Sequence, residues 1–197
     1  MRLGSGLAAA RQMRDAGVTV GIGTDGGQCS DNQNMFEVMR FTSFVSRVRD
    51  HDPQAWLATH DVFDMATRGG AATLGFGDDL GRLEAGALAD IVFLDLEHLN
   101  YWPLNDPTNQ LVHTEDGSAV HSVMTGGEMV LEAGRFVRED MQALKAQVDA
   151  AAQFLANANA GKRAFAEGLE EVISHFCVGL ASQSYHVHAM ASVGERT

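Results

Sequence analysis

Two cysteines, Cys29 and Cys177, are all that this 197-residue sequence contains. They are too few for a disulfide framework and suit a reducing cytoplasm. Basic residues are scarce as well: 14 Lys and Arg stand against 26 Asp and Glu, a formal net charge of -12. The basic residues are also scattered, which argues against a nucleic-acid partner and against an anionic membrane surface. No run approaches the ~18 consecutive apolar residues of a membrane span. Residues 1–10 hold only a short, glycine-broken apolar stretch, and Arg11 and Arg14 follow at once, so no secretory leader is expected. Internal repeats and low-complexity tracts are missing too. What remains is 45% hydrophobic and 20% charged, an ordinary globular composition with ample length for a core.

The most informative residues present are Gly23-Thr24-Asp25-Gly26-Gly27, which close the apolar run Val18-Thr19-Val20-Gly21-Ile22. A β-branched run that ends on one carboxylate flanked by glycines reads as a buried parallel strand over 18–23 that delivers Asp25 to the strand end. The glycines permit close backbone approach, so the carboxylate can sit in a cleft. In a (β/α)₈ barrel that strand end is the catalytic face. Taken alone, the five residues read better as a plain Asp-Gly turn.

Around this strand the period is helical. Ser5, Leu7, Ala10, Met13 and Gly17 mark a helix over 5–16, one short loop before the strand. Asn34 with Glu37 resembles a capping box that opens a helix over 34–49, with a stripe from Met35 to Val48. Asp52-Pro53 restarts helix, and 54–75 reads as one or two helices ended by Gly75. After residue 80 the period changes. Leu83, Ala89 to Leu94, Leu111-Val112, Val120 to Met124 and Glu128 to Leu131 are short runs between turn residues, with Gly126-Gly127 and Ala133-Gly134 as hairpin turns. They predict a small antiparallel β module over 80–137, packed on the helices of 54–75. Residues 139–157 and 162–178 return to helical spacing, and the tail from Ala181 has weak periodicity. A parallel strand needs neighbours on both edges, so a single βα step is part of something larger.

In this order the blocks resemble the C-terminal part of the amidohydrolase superfamily, in the branch of cytosine deaminase, guanine deaminase and triazine hydrolase-like enzymes. The resemblance is carried by residues 3–7, by Ala16 to Gly26, by Ser30 to Glu37, by Met65 to Gly75, by Gly81 to Val92 and by Asn105 to Val112. It covers residues 3 to about 140. It implies an α/β chain: the C-terminal portion of a (β/α)₈ barrel of a metal-dependent hydrolase, plus part of the adjoining small β-sandwich. Residues 1–79 would be the end of the barrel, 80–137 the sandwich share, and 138–197 C-terminal helices and tail.

The resemblance also implies a site. Asp25 matches the family's carboxylate after the eighth strand, which binds a divalent metal (zinc or iron) and relays a proton. Ser30 and Asn32 lie on the following loop and read as substrate contacts; the alternative is that Asp31 and Asn32 only lead into the helix over 34–49. The substrate would be a small molecule, a nitrogen heterocycle or an amide. Catalysis would need about three fixed protein donors. The family's His-x-His pair lies upstream of this strand, whereas all eight histidines here follow Asp25. His186-Val187-His188 has that spacing without an apolar strand before it and reads as tail. Cys29 has no basic neighbour in sequence and is given no role. Asp90 and Glu84 read as turn and surface carboxylates. The chain alone is therefore expected to be inert, completed by the missing part of the barrel and prone to form a homo-oligomer through its open strand edges. The alternative is a non-catalytic remnant that acts as an association module.

Overall fold

A computed structural model of the chain describes residues 6–30 and 32–181, without the side chains of Ser30, Glu171 and residues 174–181. The Ser5 cap, Asp31, His186, His188 and the tail beyond Ala181 lie outside the described residues, as does the side chain of Cys177. The chain divides into two compact units at residues 137 and 138.

The first unit begins with α1 (Ala10–Asp15), shorter than the helix expected over 5–16. Residues 18–26 follow without regular secondary structure. The strand expected over 18–23 does not form here. Its reason is the one that governs any parallel strand: among the described residues no second strand lies alongside, so the ladder has nothing to pair with. The segment is held by packing instead. Val20 and Ile22 lie against the core, and the Ile22 N–H donates to the Met65 carbonyl at 3.2 Å. Gly21 passes so close to the next helices that a Cβ on it would stand 2.6 Å from Thr73 Oγ1 and 3.0 Å from Gly70 Cα.

A short turn of helix, α2 (Gly27–Ser30), leads to α3 (Met35–Arg49). Asn34 caps α3, its side chain accepting from Phe36 N at 2.9 Å and Glu37 N at 3.3 Å. The reciprocal half of the expected capping box is replaced, because Glu37 accepts from the Asn32 amide. Asp52 caps a 3₁₀ turn, Pro53–Ala55. The helical stretch then breaks into α4 (Thr59–Ala66) and α5 (Arg68–Thr73). Met39, Leu57, Val62, Met65 and Val112 form the core among α3, α4 and α6 (Pro107–His113). Arg14 ties α1 to α4 through Asp61 at 3.3 Å and Asp64 at 3.5 Å.

Leu111-Val112, expected in a β run, belongs to α6. Asp106 caps that helix by accepting from Asn109 N at 3.0 Å, and Pro107 is preset for the first helical position. Leu83 is likewise in no strand. The other runs form an antiparallel sheet in the order β1 (Ile91–Leu94), β2 (Val120–Thr125), β3 (Glu128–Glu132), β4 (Arg135–Phe136). Val92 pairs with Val123, Met124 with Met129, and Leu131 with Phe136. Gly126 and Gly127, at φ 57° and 84°, make the tight β2–β3 turn, and Asp90 accepts from Gly126 N at 2.6 Å. The packing of this module on the 54–75 helices runs chiefly through α6 on α4, with Gly81 seated on the Arg68 backbone. Entry to β2 is fastened by Glu115, which is fully buried and accepts from Gly117 N at 2.8 Å and Ala119 N at 3.1 Å.

The second unit is essentially one helix, α7 (Met141–Ala181), where two helices were expected; Gly161 does not interrupt it.

Candidate active site

Asp25 sits two residues before α2, at the end of the segment over 18–26. Its backbone is left-handed at φ 63°, a region that Asp tolerates better than most side chains. The turn is locked locally: Asp25 Oδ1 accepts from Gly26 N at 2.7 Å, and Thr24 Oγ1 donates to the Asp25 carbonyl at 3.2 Å. The carboxylate is exposed, and it lies on the wall of a cavity of about 640 Å³. Val20, Ile22 and Met65 line that cavity from the core side, and Val38, Phe41 and Val45 of α3 from the other. A carboxylate at the mouth of an apolar cavity, on a segment pinned by core residues, can hold a cation or exchange a proton with a bound molecule.

Ser30 ends α2, one helical turn past Asp25. Asn32 is committed to α3: its Oδ1 accepts from Asn34 N at 3.2 Å and its amide donates to Glu37. Cys29 is half-buried, its N–H donating to the Gly26 carbonyl at 2.9 Å.

The donor set decides the question of a metal. Among the described residues, no three His, Cys, Asp or Glu side chains converge. His51, His60 and His121 are exposed. His113 stacks on Phe44 with ring centroids 5.9 Å apart, and its Nε2 lies 3.4 Å from Thr59 Oγ1. Burial, then the charges of Arg47 and Arg40, lower its pKa. These residues do not make a complete metal centre, and Asp25 supplies one donor at most. Away from this site, burial and then Glu115 push the Tyr101 phenol well above its ordinary range. Glu115 was not singled out in the sequence, because a lone Glu in a polar loop carries no pattern.

The comparisons with known proteins agree on a class of enzyme. Residues 1–130 match the amidohydrolase family, and the chain belongs to that family. A 5-methylthioadenosine/S-adenosylhomocysteine deaminase of Natronomonas pharaonis is 39% identical over 149 residues, which are 76% of this chain and 34% of that protein. The crystal structure of an adenosine deaminase from Xanthomonas campestris with bound zinc superposes with a TM-score of 0.75 at 30% identity, covering 79% of this chain and 35% of that one. An atrazine chlorohydrolase of Arthrobacter aurescens complexed with zinc gives 0.70 at 35% identity, covering 75% and 33%. The chain thus spans about one third of the length of the relatives it matches. Its fold is a portion of an amidohydrolase barrel enzyme, which fits a β-branched run over 18–23 that finds no neighbouring strand among the described residues.

Proposed function

We propose that this chain is the C-terminal third of a hydrolase that breaks a non-peptide C–N bond of a nitrogen heterocycle, and that Asp25 is the catalytic carboxylate it contributes. The observation that carries the reading is a glycine-flanked carboxylate, locked in a left-handed turn at the mouth of an apolar cavity, in a chain of the amidohydrolase family. The names of the relatives favour an aminated purine nucleoside as substrate. Water would add to the ring carbon that bears the amino group, passing its proton to the Asp25 carboxylate. That proton would return to the departing nitrogen as the C–N bond breaks, releasing ammonia. Residues 18–23 are the eighth barrel strand in this reading, and 80–137 are this chain's share of the adjoining β-sandwich. Ser30 is the substrate contact on the loop, whereas Asn32 holds the start of α3.

Zinc (or iron) in the complete enzyme would take Asp25 as its ligand from this chain and its remaining donors from the rest of the barrel. The whole protein works in the cytoplasm. The experiment is to compare the chain alone with the chain co-expressed with a polypeptide that supplies the remaining barrel strands. Alone, it should release no ammonia from an aminated purine nucleoside and retain less than ~0.1 zinc per chain after dialysis, since one carboxylate is a poor zinc site. Complemented, it should gain both activity and about one metal. About one zinc bound by the isolated chain would show that the donor set has been misassigned.

A further inference from the structure

The long helix α7 lies beyond residue 130, where the family model ends, although the match to the relative of Natronomonas pharaonis runs into its first turns. Its apolar residues have a period of their own. Met141, Leu144, Val148 and Ala151 are spaced three, four and three apart, and the alternation continues to Leu169 and Val172 with Lys162 as its one charged position. A repeat of 3.5 residues sustained from 141 to 172 is the seam of a coiled coil, and it calls for another helix with the same repeat. Within its unit nothing covers this seam: every described residue of the helix is exposed, Phe165 at 70% and Val172 at 66%.

We infer that α7 pairs antiparallel with α7 of a second copy of this chain, with residue 155 of one copy facing residue 158 of the other. Self-complementarity carries the choice of partner. In this register Met141 meets Val172 and Val148 meets Phe165, so both ends close on apolar pairs. Leu144 meets Leu169 by the same arithmetic. Lys162, the one charged residue on the seam, faces Ala151, whose small side chain lets the ammonium reach water along the helix. A parallel pair would set Lys162 against its own copy.

The flanks agree. Phe154, 71% exposed beside the seam, comes level with Asn159 of the other helix, two residues from Gly161. Lys145, paired with Asp149 on its own helix at 2.5 Å, comes level with Gly168, next to Glu167, and Asp149 comes level with Ala164, next to Arg163. The face is about 48 Å long from residue 141 to 172 and about 10 Å wide. Two copies therefore cover of the order of 1,000 Å², about the least that a specific interface needs.

The test uses the full chain with Cys29→Ser and Cys177→Ser, oxidised at micromolar concentration. Ala151→Cys with Lys162→Cys should form disulfide-linked dimers, and Lys162→Cys alone at least tenfold fewer. In sedimentation velocity the thiol-free chain should be a dimer, and Leu155→Asp should raise its dissociation constant at least tenfold. Linkage through Lys162→Cys alone would mean a parallel pair and would overturn the inference. So would a double variant that stays unlinked, or a thiol-free chain that sediments as a monomer, meaning that the seam rests on the chain's own first unit or on another protein.

Discussion

At Gly21 there is no room for a methyl group, and that position decides how the Asp25 segment is held. Thr73 Oγ1 and the Gly70 backbone would have to shift to admit one. Gly21→Ala should cost about 1–3 kcal/mol in denaturant unfolding. Gly23→Ala, where a Cβ would meet nothing within 4 Å, should stay within about 0.5 kcal/mol. Equal costs would refute the close crossing. His113 makes a second prediction. Its pKa is lowered in the folded chain by burial, then by Arg47 and Arg40, so the unfolded chain takes up a proton first as pH falls. The stability that His113 contributes is complete above about pH 6.5 and is lost as pH falls below it. Replacement by Gln should flatten the decline in unfolding midpoint between pH 7.5 and 5.5; an unchanged slope would remove His113 from the account. Single-residue signals were legible wherever backbone chemistry dictated them. Asn34 and Asp52 cap, and Asp90 fastens a turn, because each side chain reaches N–H groups close to it or held at a fixed turn. The buried Glu115 was illegible because its partners gather only when the loop folds.

Elements were legible when their own ends marked them. The hairpin turns at Gly126-Gly127 and Ala133-Gly134 need left-handed backbone, and they occur where the glycines predict. Two short apolar residues, Leu111-Val112, carried no period and were assigned to the wrong element, although the Asp106-Pro107 helix start stood just before them. Asp106→Ala should therefore cost about 1 kcal/mol in stability. A cost near zero would say that tertiary packing of Val112, and not the cap, holds α6. Residues 18–23 were legible in composition and not in outcome. A β-branched run encodes readiness to pair, and pairing depends on strands that lie elsewhere.

For the whole molecule, the order of blocks was enough to place the chain in its family. Of the proposed site, only Asp25 stood out in the sequence, and among the described residues no three His, Cys, Asp or Glu side chains converge. The exposure of Phe41, Phe44 and Val48 along α3, beside the cavity that Asp25 borders, is what an open barrel edge leaves behind. The most direct measurement is ammonia release by the complemented enzyme carrying Asp25→Ala, with zinc content and far-UV circular dichroism recorded on the same sample. Loss of a proton relay should lower kcat by about a thousandfold or more, roughly 4 kcal/mol of barrier, with the fold unchanged. Retention of more than about a tenth of the parent kcat would contradict the assignment of Asp25 to the chemistry.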